Sequence, residues 1–383
     1  MNQPLLPQAG QTRVAAVMQR LRGQVAAREL PPGARVPSIR RQAEALGVSK
    51  STVVEAYDRL AAEGVIAPRA GSGFYVARGA APLRVARDLP ARERAVDPLW
   101  IMRQALDADA PVLKPGCGWL PSSWLPQEAM ARALRRVARD GGAGLMEYDT
   151  PLGFAPLRAL LAGRLADRGI EAGPERVLLT DSGTQAIDLV ARFLLAPGDT
   201  VLLDDPCYFN FQTAMRAHRV TVVPVPYTPQ GPDLAAFDRL AAEHRPRLYV
   251  TNASLHNPTG ASLSVTAAHR LLKLAEQHGL VVVEDDIFAD LEAAPSPRLA
   301  AFDGLERVIH LGSFSKTLSA GARCGFIAAR EDWVEGMADL KLATQFGNSA
   351  LGARTVHRLL ADGGYRRHLE TVRGKLARAM DET

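Results

Sequence analysis

The sequence predicts an α/β protein in two parts, an N-terminal winged helix-turn-helix followed by a doubly wound, mostly parallel sheet. In residues 12–76, three helical patterns precede two short apolar runs around a glycine turn. From Trp100 onward, helical patterns alternate with short β-branched runs, which is typical of a parallel sheet covered by helices on both faces. We therefore predict a winged helix-turn-helix domain over residues 10–78, a linker over 79–98 and a large domain over 99–383.

The N-terminal module begins with an amphipathic helical pattern from residue 12 to residue 30, which a Pro-Pro-Gly turn stops. Ser38 then gives an N-cap for a short helix through Leu46, and a glycine breaks it. Ser49 caps a third helix that runs to about Glu63. This spacing predicts a helix-turn-helix. Two apolar runs, residues 65–67 and 74–76, flank a glycine-rich turn and predict a two-stranded wing.

The basic charge of the chain is concentrated in this module. Residues 1–78 contain eleven Arg or Lys against five Asp or Glu, and the whole chain has a net charge of +5, so the remainder is close to neutral. A small basic module is typical of a protein that binds a phosphate backbone, although a solvated basic surface has the same composition.

Several motifs of the module resemble the winged helix-turn-helix domain of GntR-type bacterial regulators. They are Pro32-Gly33, Val36-Pro37-Ser38-Ile39-Arg40, Leu46-Gly47-Val48-Ser49-Lys50-Ser51-Thr52-Val53 and Gly71-Ser72-Gly73. The resemblance implies that the third helix enters the DNA major groove. It assigns contacts with double-stranded DNA to Ser38, Arg40, Ser49, Lys50, Ser51, Thr52, Ser72 and Gly73. The alternative for Arg40 and Lys50 is that they are solvated helix residues.

Composition also bounds the cellular setting of the chain. With 47% hydrophobic and 23% charged residues, it has the make-up of a soluble globular protein. No apolar run approaches the roughly 18 residues needed to span a bilayer. The three cysteines, Cys117, Cys207 and Cys324, are far apart, and no signal-peptide pattern follows Met1. We therefore expect a cytoplasmic protein with no membrane span and no metal site.

Residues 79–98 contain arginines, alanines and prolines without a clean periodicity, and they predict a linker. If it is extended, a segment of this length is long enough that the two domains need not touch. The linker is either a solvated tether or a source of nonspecific phosphate contacts.

Six short β-branched runs of the large domain predict strands whose carboxyl ends form a ligand site. They lie at residues 176–180, 200–203, 220–223, 247–251, 280–284 and 307–311. In doubly wound sheets, ligands bind at the carboxyl ends of the strands. Polar residues follow several of these strands, so we expect the site at that edge.

Three of these polar features suit an aromatic phosphate ligand. Ser182-Gly183-Thr184 opens a helix after the first strand, so its backbone N–H groups are available for a phosphate. Tyr208 follows the second strand and is suited to stack on a ring. Asn257, in Asn-Pro-Thr-Gly after the fourth strand, can reach a phenolic oxygen. Each signal is weak alone, because helix caps, lone tyrosines and turns are common.

Lys316 is the most informative residue of the large domain. It lies in Gly312-Ser313-Phe314-Ser315-Lys316-Thr317, with Arg323 seven residues later and Asp285 thirty-one residues earlier. A lysine amine can hold the aldehyde of pyridoxal phosphate as a Schiff base, and a guanidinium with small hydroxyls can hold its phosphate. A carboxylate can keep its pyridine nitrogen protonated. These groups in this order predict a pyridoxal phosphate site.

The same residues resemble the aminotransferase-type fold I family of pyridoxal phosphate enzymes, over roughly residues 110–380. The resemblance implies that Lys316 carries the Schiff base, Asp285 pairs with the ring nitrogen, Tyr208 stacks on the ring and Asn257 contacts O3′. It assigns phosphate contacts to Ser182, Gly183, Thr184, Ser313 and Arg323. It also implies a homodimer, because Tyr148 matches the tyrosine that reaches the phosphate of the neighbouring subunit.

Two departures limit what the resemblance implies. Phe288 stands where the family has a tyrosine that donates to O3′, and loss of this donor should alter the pKa of the Schiff base. The sequence ends at Thr383 within a predicted helix, before the small domain that supplies the family's arginine for the substrate carboxylate. We therefore expect a C-terminally incomplete large domain, either as a shortened gene product or with substrate recognition lost or reorganised.

The order of the two modules resembles the MocR branch of GntR regulators, in which an aminotransferase-like domain senses the cofactor, or the cofactor with an amine, and controls DNA binding. Our leading hypothesis is a homodimeric bacterial transcription regulator that binds pyridoxal phosphate, double-stranded DNA and a small amine or amino-acid effector, in the cytoplasm and on the nucleoid. The alternative is an active aminotransferase, which Lys316, Asp285 and Arg323 favour, and which Phe288 and the expected absence of the C-terminal small domain oppose. A defective truncated protein is the third option.

Overall fold

A computed structural model of the protein describes residues 12–27, 29–69, 71–77, 98–107, 118–140 and 142–382. The chain divides into two compact units, Met1–Arg94 and Ala95–Thr383. Nearly all of the predicted linker, together with Cys117, lies outside the described residues, so the domain boundaries remain predictions.

Within the described part of the N-terminal unit, three helices form as the sequence predicts: α1 (Arg13–Ala26), α2 (Ile39–Leu46) and α3 (Lys50–Ala62). Each begins behind a hydroxyl N-cap, and those of α2 and α3 are Ser38 and Ser49. Gly47 ends α2 with a φ of 66°, a left-handed conformation that lets the chain turn at once into α3. The helix-turn-helix prediction is confirmed, although α1 is shorter than predicted.

The wing packs against the helices through a small apolar core. Strand β1 (Ile66–Arg69) pairs antiparallel with β2 (Gly73–Val76). Ile66 and Val76 are buried with Leu21 and Tyr57 in this core. The wing turn is tighter than predicted, because the proline and arginine that follow the first apolar run belong to β1.

Among the described residues, the large unit contains an eight-stranded sheet with the order β3-β10-β9-β8-β7-β4-β5-β6. Its strands are β3 (Val177–Thr180), β4 (Thr200–Asp205), β5 (Thr221–Thr228), β6 (Gly231–Pro232), β7 (Leu248–Thr251), β8 (Val281–Asp285), β9 (Val308–Ser313) and β10 (Gly325–Ala328). The pairs β5-β4, β4-β7, β7-β8 and β8-β9 are parallel. In contrast, β10 is antiparallel to both β3 and β9, and β6 is antiparallel to β5. All six predicted strands form, and β6 and β10 are additional.

Helices cover both faces of this sheet. They are α4 (Pro98–Asp107), α5 (Gln127–Asp140), α6 (Ala155–Ala166), α7 (Gly183–Leu194), α8 (Phe209–Ala217), α9 (Leu234–His244), α10 (Val265–Gln277), α11 (Leu299–Asp303), α12 (Glu331–Gln345), α13 (Ala350–Ala361) and α14 (Gly364–Asp381). Successive strand residues point to opposite faces, so Leu202 packs in the core beneath α6, α9 and α10, while Val201 and Leu203 pack beneath α7, α8 and α12. No helix in the described ranges is long and apolar enough to cross a membrane.

Candidate functional site

A cavity of about 190 Å³ opens at the carboxyl ends of the parallel strands of the large unit. Eight of the residues predicted from the sequence line it: Ser182, Gly183, Thr184, Tyr208, Asn257, Asp285, Lys316 and Arg323. They come from the segments after β3, β4 and β7, the tip of β8, and the loop between β9 and β10. The sheet therefore brings together groups that are up to about 140 positions apart in the sequence.

The antiparallel strand β10 explains how Arg323 reaches this cavity. An antiparallel strand begins at the edge where its parallel neighbours end, and Arg323 lies two residues before Gly325, the first residue of β10. Arg323 has a φ of 47°, in the left-handed region that non-glycine residues rarely adopt. A side chain on Gly325 would come within 3.0 Å of the backbone of Gly312 and Ser182, so this strand packs closely against its neighbours.

The first turn of α7 lines one end of the cavity. Ser182 is its N-cap, and the Ser182 hydroxyl accepts from the backbone of Gln185 at 3.1 Å. The backbone N–H groups in the first turn of a helix have no partner within the helix, and the helix dipole adds positive potential there. Gly183 and Thr184 supply such groups to the cavity that Arg323 also lines. This end of the cavity suits a phosphate.

Asp285 contributes an acidic side chain to the cavity lining. The side chain is buried, and burial raises its pKa from 3.8 to about 7, while the backbone N–H of Ile287, 3.1 Å from Oδ1, opposes the shift. The neighbouring carboxyl of Asp286 raises the pKa further. A buried carboxylate favours a cationic partner, such as a protonated ring nitrogen, because the cation offsets the hydration free energy that the carboxylate loses on burial.

A buried ionic network lies directly behind Asp285. Asp286 accepts from Arg298 at 3.0 Å, and Arg298 also binds Glu292. His310 lies 3.2 Å from Glu284 and 3.7 Å from Asp286. Burial raises the pKa of Asp286, while His310 and Arg298 oppose the shift. The network fixes the carboxyl end of β8, where Asp285 lies.

Two predicted site residues lie away from the cavity wall. Ser313 is buried and donates to the hydroxyl of Ser315 at 3.0 Å, and Ser315 itself lines the cavity. Tyr148 is on the surface with an exposed fraction of 82%, and its ring packs against Phe346 at a centroid distance of 4.8 Å. The buried position of Ser313 suits a role in supporting Ser315. The exposed position of Tyr148 leaves it accessible to another molecule.

The cavity also has lining residues that sequence reasoning did not single out. They are Trp119, Ile187, Asn210, Phe211, Asn252, Ile287, Ser315 and Ala320. Phe288, which the sequence marks as a departure from the family, also lines the cavity. Two of them carried a usable signal. Asn252 follows the end of β7 directly, and Ser315 is adjacent to Lys316. The apolar lining residues carry no such signal, because an apolar residue in a helix is usually part of the core.

In the N-terminal unit, the predicted DNA contacts lie at the N-terminal ends of α2 and α3 and in the wing. Lys50 and Ser51 are exposed in the first turn of α3, and Arg40 is exposed on α2, where it pairs with Glu44 at 3.1 Å. The Ser49 hydroxyl accepts from the backbone of Thr52 at 3.1 Å. Ser38 and Ser49 are thus helix caps, and the Ser49 hydroxyl also lies 2.8 Å from the hydroxyls of Ser51 and Thr52.

The wing carries further polar groups. The hydroxyls of Ser72 and Tyr75 are 2.6 Å apart, and the guanidinium of Arg69 lies 4.2 Å from the Tyr75 ring centroid. Gly73 begins β2 with a φ of 94°. Sequence reasoning did not single out Arg69, although an exposed arginine in a wing is suited to a phosphate or to the minor groove.

Comparison with known proteins agrees with both halves of this architecture. Residues 121–382 match the family described as aminotransferase class I and II, and residues 13–76 match the bacterial regulatory proteins of the gntR family. The fold and the site therefore define a protein of the aminotransferase class I and II family with a GntR helix-turn-helix domain. More particularly, the chain belongs to the MocR-type branch of the GntR transcriptional regulators.

Individual relatives support both parts. The chain is 30% identical over 365 residues to the probable rhizopine catabolism regulatory protein MocR of Rhizobium meliloti, with 93% of this chain and 73% of that protein covered. It is 36% identical over 262 residues to the 2-aminoadipate transaminase of Thermus thermophilus, with 67% of this chain and 64% of that protein covered. The crystal structure of LysN, an α-aminoadipate aminotransferase from the same species, complexed with N-(5′-phosphopyridoxyl)-L-leucine, has a TM-score of 0.66 and 34% identity, covering 71% and 69% of the two chains.

Proposed function

We propose that this transcription regulator binds pyridoxal phosphate on Lys316 and uses the loaded cavity to sense a small amine or amino acid that controls DNA binding. The observation that carries the proposal is the convergence of eight predicted groups on one cavity, in a chain with a complete winged helix-turn-helix. The bound group would supply an electrophilic carbon that reacts reversibly with amines.

The chain's own residues fit this group in charge and in position. The first turn of α7 with Arg323 would bind the phosphate dianion, and the buried Asp285 would hold the ring nitrogen in its protonated form. Tyr208 would pack on the ring, and Asn257 would donate to the phenolic oxygen. Phe288 lines the cavity without a hydroxyl. Asn257 is therefore the donor on which the phenolic oxygen would depend.

We also propose that the active form is a homodimer. Tyr148 and Phe346 form an exposed aromatic pair, with Met146 and Leu351 as further exposed apolar side chains on neighbouring segments. Exposed apolar groups of this size favour burial by another protein surface. A second copy placed there would bring its own Tyr148 towards the phosphate of this chain, as the sequence predicts.

The DNA-binding proposal places the first turn of α3 in the major groove, with the wing beside it. Exposed Lys50, Arg40 and Arg69 are suited to phosphate contacts, and the hydroxyls of Ser38 and Ser49 can donate to phosphate or base oxygens. The protein would then act on the nucleoid in the cytoplasm.

Turnover of an amino acid is a second candidate activity. The 36% identity to a transaminase and the retention of Lys316, Asp285 and Arg323 in one cavity favour it. Phe288 acts against it, because the phenolic oxygen loses a donor that would tune the reactivity of the Schiff base. Conversion of the bound cofactor to its aminated form when amino acids are added would establish turnover.

One experiment tests the leading proposal. The purified protein is reduced with borohydride in the presence of pyridoxal phosphate, and the modified peptide is mapped; we expect modification at Lys316. Binding to its own upstream DNA is then measured with and without the cofactor and amines. Modification at another lysine, or no salt-sensitive, sequence-selective DNA binding, would refute the proposal.

A further inference from the structure

We infer that Asn252 is a positioning residue that fixes Asn257 and Asp285 relative to each other and so sets the affinity and protonation of the bound cofactor. The inference rests on the proposed function, because it assumes that these two residues hold pyridoxal phosphate. Asn252 directly follows β7 and is 3% exposed, although it carries a polar amide.

The Asn252 amide joins two walls of the cavity. Its Nδ2 donates to the backbone carbonyl of Asp285 at 2.5 Å, and its Oδ1 accepts from the backbone N–H of Asn257 at 2.8 Å. One bond therefore ends at the tip of β8, and the other ends in the loop after β7. A planar amide is suited to this task, because it has a donor and an acceptor pointing in different directions.

Asn252 is itself held on the sheet by a buried carboxylate. Its backbone N–H lies 3.4 Å from Oδ2 of Asp204 in β4, and the same oxygen accepts from the hydroxyl of Thr251 at 2.7 Å. Tyr249 donates to the other carboxylate oxygen. Since Asp204 is buried with its donors, water does not compete for these bonds. The anchor links β4 and β7, and the Asn252 side chain extends it to β8.

The loop that carries Asn257 needs such support. Leu255 has a φ of 48°, a conformation that costs free energy for a non-glycine residue. The backbone of Leu255 is held by Ser262 at 3.2 Å, and that of Asn257 is held by Asn252. Strained backbone persists only where the surroundings fix it, so loss of the Asn252 bond should let Asn257 move first.

Loss of the Asn252 amide should therefore change the cofactor's chemistry as well as its affinity. A donor at the phenolic oxygen spreads its negative charge and lowers the pKa of the adjoining Schiff base. When Asn257 is displaced, this donor is lost and the pKa of the Schiff base rises. A residue that only stabilised the fold would not produce this change.

The test compares the full-length apoproteins of wild type, Asn252→Ala and Asn252→Asp, with Ser254→Ala as the matched control. Ser254 is buried in the same loop, and its hydroxyl contacts the carbonyl of Pro297 at 3.5 Å, away from the cavity. Each protein is titrated with pyridoxal phosphate, and the absorbance of the Schiff base is then followed against pH. Hydrogen exchange of the peptide over residues 252–260 measures the protection of the Asn257 amide without any cofactor.

We expect Asn252→Ala to bind pyridoxal phosphate about tenfold more weakly, as for one lost hydrogen bond, with a raised Schiff-base pKa and faster exchange of the loop peptide. Asn252→Asp keeps the shape of the side chain but places an acceptor against the Asp285 carbonyl, so it should also bind more weakly. The affinity of Ser254→Ala for pyridoxal phosphate should stay within about twofold of the wild-type value.

A double substitution shows whether Asn252 acts through Asn257. In an Asn257→Ala background, Asn252→Ala should weaken binding by less than about threefold, because the bond of Asn252 to residue 257 no longer positions a cofactor contact and only its bond to Asp285 remains. Equal losses in both backgrounds, or wild-type binding by both Asn252 variants, would overturn the inference and leave the proposed function intact. Absence of cofactor binding by wild type would overturn both.

Discussion

Lys341 donates from Nζ to the carbonyl oxygen of Leu179 at 3.0 Å. The same ammonium donates to the carbonyl of Pro151 at 2.9 Å and to the side chain of Asn348, although the residue is only 1% exposed. Leu179 lies in β3, three residues before Ser182, and Pro151 lies three residues after Tyr148. The buried Lys341 side chain therefore joins strand β3 to the segment that carries the exposed tyrosine.

The first prediction concerns the pH dependence that this buried lysine gives to stability. Burial lowers the pKa of Lys341 from 10.5 to about 8, while Asp181 and Asp149 oppose the shift. Between these values the unfolded chain binds one more proton than the folded chain, so stability from this group rises as pH rises from 8 to 10.5. The gain should be about 3 kcal/mol across the window.

Urea unfolding of wild type and Lys341→Met between pH 6 and 10.5 measures this effect. The free energy of unfolding of wild type minus that of Lys341→Met should stay constant below pH 7.5 and increase above pH 8. Lys273→Met, which changes an exposed lysine of α10, is the matched control and should run parallel to wild type. Parallel curves for Lys341→Met would contradict the prediction.

The second prediction concerns Asp285 in the apoprotein. Its folded pKa of about 7 exceeds the unfolded value of 3.8, so the folded chain binds the extra proton, and stability falls as pH rises through this window. Asp285→Asn does not titrate. Relative to wild type, the free energy of unfolding of the Asp285→Asn apoprotein should therefore rise by about 4 kcal/mol between pH 4 and pH 8. The variant should also bind pyridoxal phosphate more weakly. Urea midpoints that differ by the same amount at every pH would show the prediction to be wrong.

The third prediction concerns the turn between α2 and α3. Gly47 has a φ of 66°, and a Cβ added there would meet no atom within 4 Å. Gly47→Ala should therefore lower the free energy of unfolding by about 1 kcal/mol, because alanine disfavours this left-handed backbone conformation and not because of a steric clash with other residues. Gly23→Ala is the control, because Gly23 is an exposed interior position of α1 with open space around it. This substitution should stabilise by up to about 1 kcal/mol. Thermal unfolding of the full chain gives both values, and a loss at both sites would contradict the conformational explanation.

The fourth prediction concerns Lys50 and the salt dependence of DNA binding. If Lys50 contacts a phosphate, Lys50→Ala should weaken binding to all sequences alike and reduce the slope of log K against log salt concentration by about 1. Arg59→Ala, in the last turn of α3 and paired with Glu55 at 2.6 Å, should leave the slope unchanged. Equal slopes for Lys50→Ala and wild type would remove Lys50 from the interface.

The local elements were predictable because their determinants are adjacent in the sequence. Ser38, Gly47 and Ser49 act on the backbone within three or four residues, so the caps and the turn of the helix-turn-helix could be placed without any tertiary information. The strands before Asp285 and Lys316 were predictable because buried parallel strands are β-branched runs. Strand β10 was not, because four apolar residues after a loop fit equally well in a helix or a turn.

The sequence by itself therefore determined the two-part architecture, the helix-turn-helix and the groups that meet around Lys316. Tertiary structure decided which residues face the cavity: Ser315, which the sequence did not single out, lines it, and the predicted Ser313 lies behind. It also decided the roles of Asn252 and Lys341, whose partners come from other segments of the chain. An asparagine after a strand and a lysine in a helix are usually solvated, and only the packing of the sheet removes them from water and makes their hydrogen bonds with the protein.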